Sequence, residues 1–288
     1  MCIIAAKYFK DTGWVLAKNR DQDYVSHISF RDEHDPDVKE ILVMYDHDIK
    51  YQEGMNHDGL VIITTSLTPS LQSETNKKDG DCVYHALRMK QDQAVKYLIK
   101  QKMTGYIFVA TPERLIVIEA ARKDQGKGEY QSKITEIPTN KTIVRTNHGI
   151  DLPWAGFQFG ITDTQDMWRK SSETRKELAE LALIKAKTPV QMLDALASRR
   201  HDDLQMNLFR VENKPRQMRT IFQWALVPSE DIAIIRPIQT KLDLKVTRQK
   251  LRVEVIDNEI IKKIYDGRIK HFAKIETIQN GEIKTVIR

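Results

Sequence analysis

Cys2 stands directly behind the first methionine, and the run Lys18-Asn19-Arg20-Asp21 follows it a short way downstream. Were Met1 removed, a single residue would carry both a thiol nucleophile and a proton-accepting amine. A free α-amine has a pKa of about 8, so a useful fraction of it is neutral at physiological pH. It can then take the thiol proton directly or through one water. Pairing a nucleophile with its own terminal amine is an established route to activation. A small residue at position 2 permits removal of the methionine, so the precursor step is cheap. The competing reading is a cysteine at position 2 with no chemical task.

The rest of the composition narrows the field. With 288 residues and 41% hydrophobic content the chain can bury one substantial core. The apolar stretch Ile3–Ala6 is too short for a signal-peptide core, and Lys7 ends it at once. No run approaches the ~20 apolar residues of a membrane span. These features lead to the expectation of a soluble, cytoplasmic protein that needs no membrane. Cys2 and Cys82 do not make a disulfide framework, and Cys82 reads as a small core residue in a helical stretch. No glycine-rich phosphate loop and no metal-ligand spacing occurs; His27, His34 and His47 lie in polar surroundings where solvated side chains are expected. Neither cofactor nor metal is expected. From Lys241 to Arg288 there are 8 Lys and 4 Arg against 3 Asp and 4 Glu, so +5 of the net +6 sits there. Its charges alternate with Val, Ile and Leu as in strands, so a solvated strand face is favoured over a nucleic-acid surface.

A nucleophile at a frayed terminus is useless, so the elements that hold it matter. The apolar runs Cys2–Tyr8 and Trp14–Lys18, separated by Lys10-Asp11-Thr12-Gly13, read as a β-hairpin from the first residue. Further strands are expected at 41–45, 61–65, 106–110, 115–119, 134–137, 142–145, 220–227 and 232–235, with 54–60 as a glycine-bounded turn. Residues 67–80 read as a polar surface loop long enough to form a substrate-side flap, and 81–102 as one broken or two short helices. Ser171–Lys187 is the clearest helix. Thr188-Pro189 opens another, with Thr188 as N-cap and Pro189 at the first position. Asn280-Gly281 joins two final strands as a type I′ hairpin signal. Blocks of strands and helices in this order predict an α+β fold rather than an alternating parallel sheet.

With these elements assembled, the chain resembles the N-terminal-nucleophile hydrolases over roughly residues 2–237. Within them it is most similar to the branch of choloylglycine hydrolases, penicillin V acylases and acyltransferase-like linear-amide hydrolases. The resemblance rests on Met1-Cys2, on Ala17-Lys18-Asn19-Arg20-Asp21, on Gly54-Met55-Asn56-His57-Asp58-Gly59-Leu60, on Thr146-Asn147-His148-Gly149 and on Ser172-Glu173-Thr174-Arg175, in that order. It implies a four-layer αββα sandwich of two antiparallel sheets with helices on both outer faces. The sandwich would span 1–240, and the basic segment 241–288 would complete the same domain or serve in assembly. It also implies roles: Cys2 as nucleophile, Asp21 holding its amine or thiol, Asn147 as oxyanion donor, and Arg175 as a charge favouring the thiolate.

Two departures stand out. The family arginine three residues before the aspartate is Lys18 here, which keeps the charge and loses the planar fork. Arg20 could compensate, although in a regular strand it faces away from Asp21. Where the bile-salt branch carries a second oxyanion asparagine, this chain has Thr64-Thr65-Ser66, so a hydroxyl or a backbone N–H would have to serve. Thr65, Ser66, His148 and Trp154 are the candidate substrate contacts, and Trp154, Phe157 and Phe159 could line an apolar acyl pocket. The resulting expectation is a hydrolase of linear, non-peptide amides acting on a small-molecule acyl amide. A homo-oligomer, dimer or tetramer, is compatible with it. The alternative is a catalytically retired sandwich that binds partners through its basic C-terminal segment.

Overall fold

A computed structural model of the chain describes residues 1–24, 26–35, 39–67, 73–123, 128–198, 201–210, 218–238, 240–246, 251–256, 274–279 and 282–287. Among them, six strands form one sheet in the order β10 (Ile143–Arg145), β1 (Ile3–Phe9), β2 (Gly13–Gln22), β11 (Arg219–Val227), β12 (Ile232–Pro237) and β14 (Arg252–Val255). Ten strands form the second sheet: β16 (Glu282–Ile287), β15 (Lys274–Gln279), β13 (Thr240–Lys245), β3 (Ser26–Asp35), β4 (Lys39–Asp46), β5 (Tyr51–Asn56), β6 (Val61–Thr65), β7 (Gly105–Ala110), β8 (Leu115–Arg122) and β9 (Tyr130–Ile137). Among the named strands the chain passes from the first sheet to the second between β2 and β3, between β12 and β13, and between β14 and β15.

Side-chain alternation along β1 and β2 shows how the layers stack. Ile4, Ala6, Trp14 and Leu16 join Phe30, Leu42, Val61 and Phe108 of the other sheet in one apolar cluster between the sheets. Their neighbours Ile3, Ala5, Val15 and Ala17 pack instead against Ala179, Leu183, Leu193 and Leu196 of helices α3 (Asp163–Leu183) and α4 (Pro189–Leu196). Helices α1 (Ser73–Ala86) and α2 (Gln91–Lys100) cover the far face of the ten-stranded sheet through Val83, Ala86, Ala94 and Leu98. Burying both faces of each strand explains why β1 begins with an uninterrupted apolar run. The layer order is therefore helix, sheet, sheet, helix, an α+β sandwich as the resemblance implied. The sheets are mixed rather than wholly antiparallel: β13 runs parallel to β3 and β15, and β14 parallel to β12.

Several expectations need correction. The stretch 67–80 is not a loop throughout, because α1 starts at Ser73; propensity for Ser, Asn and Asp loses to the apolar face that Val83 and Ala86 bury. The helix expected from Ser171 starts at Asp163, where the Thr162 hydroxyl accepts a hydrogen bond from Gln165 N at 3.2 Å. Ser172 and Arg175 thus lie mid-helix, not at its first turn. Strand β3 was not foreseen, since Glu33, His34 and Asp35 mask it, and β5 occupies the first part of the supposed turn 54–60. His27 and His47 stack at 4.1 Å between ring centroids instead of standing apart in solvent. The Thr188–Pro189 start holds, with Thr188 Oγ1 accepting from Gln191 N at 3.2 Å. Strands β15 and β16 pair antiparallel with Gln279 opposite Glu282, as a two-residue connection requires, although Asn280 and Gly281 lie outside the described residues.

The motif Gly54–Leu60 is structural. A Cβ at Gly54 would meet Leu42 O at 2.0 Å, Gly59 adopts a φ of +83°, and Asn56 accepts from Leu60 N at 2.8 Å while donating to Leu87 O at 2.7 Å. A second fixed point is Glu119 on β8. Its buried carboxylate accepts the backbone N–H groups of Ile150, Asp151 and Leu152 at 2.8–2.9 Å. Glu119→Ala would orphan these donors and cost about 2–4 kcal/mol of stability. A shift of the urea midpoint at unchanged slope is the measurement that checks it.

Candidate active site

Cys2 precedes β1, which is hydrogen-bonded on both flanks, to β10 and to β2. The terminal amine of Met1 continues the ladder, donating to the main-chain oxygen of Asp21 at 3.0 Å. The start of the chain is therefore held, as a nucleophile there requires. The alternation established by the core carries through β2 and sorts its polar residues onto two faces. Lys18 and Arg20 point between the sheets; Asn19 and Asp21 point at the helices.

Between the sheets, Lys18 forms a buried ion pair with Glu53 of β5, and Arg20 one with Asp46 of β4. Glu53 also accepts from Thr64 N at 3.0 Å, and the Asp46 carboxylate accepts from Asp48 N at 3.0 Å. Each carboxylate is thus further satisfied, as buried ions demand. On the helix face, Thr220 Oγ1 donates to Asp21 Oδ1 at 2.8 Å. Asp21 Oδ2 lies 3.5 Å from Nη1 of both Arg175 and Arg210, and all three side chains are fully buried. An irregularity in the β2–β11 pairing between Thr220 and Phe222 sets Thr220 opposite Asp21. Thr220 Oγ1 in turn accepts from Arg210 N at 3.0 Å.

Arg175 links this cluster to the next. Its Nη2 donates to Asn147 Oδ1 at 3.1 Å, fixing which way the amide faces. Asn147 Nδ2 then donates to Ser66 O at 2.8 Å and to Thr65 Oγ1 at 3.2 Å. The Thr65 hydroxyl donates to the carbonyl of Cys2 at 3.3 Å, closing the circuit. The main chain around Asn147 is fixed just as firmly. Asn147 N donates to Ser172 Oγ at 2.7 Å, Tyr106 OH donates to His148 O at 2.9 Å, and Glu119 holds the next turn. A Cβ at Gly156 would strike Asn147 O at 2.3 Å, so only glycine permits that close return of the loop.

Electrostatics favour an ionised thiol. Burial pushes the Cys2 thiol up, but the terminal ammonium, Lys18 and Arg20 together hold it below its ordinary value. Burial also drives the terminal amine below its usual range, with Arg210 and Arg175 adding to the effect against the pull of Cys2 and Asp21. Arg175 itself is pushed down to about 9, first by burial and then by Arg210.

Of the residues singled out from sequence, Cys2, Asp21, Lys18, Arg20, Thr65, Ser66, Asn147 and Arg175 converge. His148 and Trp154 do not reach Cys2 through any described contact. The His148 ring lies against Ser172 Oγ at 2.9 Å and Thr146 Oγ1 at 3.2 Å, and Trp154 packs on the apolar cluster between the sheets. Phe157 is buried with its ring 6.3 Å from that of Trp168, whereas Phe159 is exposed. Arg210, Thr220 and Glu119 were missed. A lone arginine after Leu208-Phe209 and a lone glutamate ending Leu115–Ile118 were the available signals, because charge inside an apolar run implies a buried partner.

No family model and no curated protein matches the chain. Among solved structures, the C2A mutant of conjugated bile acid hydrolase from Clostridium perfringens is similar at a TM-score of 0.46 and 13% identity, over 82% of this chain and 89% of that one. A likeness of that size adds nothing to what the contacts establish.

His148 provides a pH test of the site's packing. Burial, then Arg169 and Lys176, push its pKa down to about 3. The unfolded ring takes up a proton below pH ~6.5, the folded ring only near 3, so acidification across that window favours unfolding. Stability should fall as pH drops from neutrality towards 3. His148→Gln should flatten that slope when denaturant midpoints are compared at several pH values.

Proposed function

We propose that the chain is a cysteine hydrolase that cleaves a linear, non-peptide carbon–nitrogen amide through an acyl-enzyme on Cys2. Its base is the α-amine set free when the Met1–Cys2 bond is cut. The observation that carries this reading is the closed circuit from Cys2 O through Thr65, Asn147 and Arg175 to Asp21, whose own main chain holds the terminal amine.

Loss of Met1 turns the Cys2 nitrogen from an amide into an amine beside its own thiol. The amine takes the thiol proton, and Sγ attacks the substrate carbonyl carbon. Negative charge moves to the carbonyl oxygen. Both N–H groups of Asn147 Nδ2 are engaged at rest, and the longer of the two bonds, to Thr65 Oγ1 at 3.2 Å, is the one to release for the oxyanion. The Thr65 hydroxyl, then relieved of that donor, is a second group at the same spot. The tetrahedral species collapses as the leaving amine receives the proton from the Cys2 ammonium, which leaves a thioester. Water attacks the thioester with the amine again as base, and the acid departs from Sγ. Asp21 and Arg175 act by position and field: the Asp21 main chain holds the terminal segment while its carboxylate gathers the two arginines, and the Arg175 guanidinium locks the orientation of the Asn147 amide. Lys18 and Arg20, each neutralised by its own carboxylate, still bias the thiol towards thiolate.

Screening acyl amides of varied chain length is the test. Cys2→Ala should abolish turnover. Asn147→Ala should lower kcat by about 10²–10³ with little change in KM, the pattern of a group that acts mainly in the transition state. Active protein whose intact mass still includes Met1 would sink the mechanism. Salt-sensitive partner binding that survives Cys2→Ala, with no hydrolysis anywhere in the panel, would favour a retired binding module instead.

A further inference from the structure

Two guanidiniums flank Asp21, and they are not equivalent. Arg175 is tied to Asn147 Oδ1 at 3.1 Å, so any change there also disturbs the amide. Arg210 has no described bond to Asn147. Its Nη2 donates to Ser171 Oγ at 2.8 Å and to Gln205 O at 3.0 Å, and its Nη1 lies 3.5 Å from Asp21 Oδ2. The residue is fully buried, and its main chain is paired both ways with Thr220, through Arg210 N on Thr220 Oγ1 at 3.0 Å and Thr220 N on Arg210 O at 2.8 Å. A cation is thereby fixed on the helix side of the terminal segment, in a place water does not screen.

We propose that Arg210 is a positioning residue whose charge, set against Asp21, keeps the terminal amine of Cys2 in its neutral, proton-accepting form. This rests on the reading of Cys2 as an N-terminal nucleophile. Among the described residues, the groups that face this terminal segment are the Cys2 thiol; Asp21, Lys18 and Arg20 on β2; Glu53 and Asp46 on β5 and β4 behind those two cations; Arg175 on α3; and Arg210. Lys18 and Arg20 each meet a carboxylate between the sheets. On the helix face, Asp21 is shared by Arg175 and Arg210. An ammonium placed beside that pair is disfavoured, and the buried setting magnifies the effect. Burial lowers the existing Met1 amine first, and Arg210 and Arg175 add to it against the pull of Cys2 and Asp21; the Cys2 amine one residue along would meet the same arginines. A neutral amine is what the first proton transfer needs, so Arg210 sets the lower pH limit of reactivity without touching substrate.

The test needs no substrate. 2-Cyanobenzothiazole condenses stably only with an amine and thiol on the same residue, so its rate of reaction with processed protein reports both groups of Cys2. Wild type, Arg210→Gln and Arg210→Lys are compared from pH 5 to 9, after thermal melts establish folding. Gln keeps a donor for Ser171 and drops the charge; Lys keeps the charge and drops the fork. Expected is an acid limb displaced to higher pH in Arg210→Gln, with about a tenfold lower rate at neutral pH that recovers in alkali. Arg210→Lys should keep the limb of wild type. Equal loss in both variants at every pH, or an unmoved limb in Arg210→Gln, would overturn the proposal. Should Arg210→Gln fail to fold, Arg210→Met, which also drops the charge, takes its place: a limb displaced to higher pH supports the role, and an unmoved limb refutes it. Processed wild type that does not condense at all removes the Cys2 reading together with this one, whereas condensing wild type with unaffected variants removes Arg210 alone.

Discussion

The contact between Asp21 and its two arginines is the point on which the site depends. One carboxylate, fully buried, meets Arg175 and Arg210 at the seam between β2 and α3. Removing either side would strand charge in a place without water, a cost of about 3–5 kcal/mol for a buried pair. The cluster therefore fixes where α3 sits against the six-stranded sheet. Through Arg175 it also fixes Asn147, which belongs to a different layer connection. A stability requirement and the orientation of the Asn147 amide are met by the same atoms.

The opposite face of β2 obeys a second constraint. Two ion pairs, Lys18–Glu53 and Arg20–Asp46, cross between the sheets beside the apolar cluster that Trp14, Leu16 and Phe30 help to form. Strand alternation alone separates these pairs from Asp21 and its arginines. A one-residue slip of β2 would exchange the two sets, burying Asn19 and Asp21 against Glu53 and Asp46 with no cation to match. Register here is enforced by charge as well as by hydrophobic pattern. Thr65 and Cys2 meet at the edge of this polar patch.

Much of this was legible beforehand, and the reasons are particular. Short, unbroken apolar runs such as those of β6, β7 and β8 fit only buried strands at their length, and Thr188-Pro189 states a helix start in its chemistry. Cys2, Asp21, Asn147 and Arg175 could be aligned by motif order. The depth of α1 could not be read, because Ser73–Gly80 is polar and only the apolar face further along pulls it into a helix. Nor could Arg210 and Thr220 be assigned, since their pairing with Asp21 spans most of the described chain and leaves no local pattern. Lys18 looked like a weakened substitute for an arginine. Its carboxylate partner Glu53, itself buried in β5, accounts for a lysine there: a compact ammonium suits a single facing oxygen.

The parallel entry of β13 beside β3 has a consequence for timing. β3 cannot gain its second neighbour until residues beyond 240 have been made, and Asp21 waits equally for Arg210 and Thr220. A ribosome adding about 5–20 residues per second leaves the first residues emerged and unsheltered for many seconds before that closure. The amine of Met1 is part-buried once the ladder to Asp21 forms. The hairpin of β1 and β2 can thus form early, whereas the polar cluster on its helix face is completed only when Arg210 and Thr220 arrive.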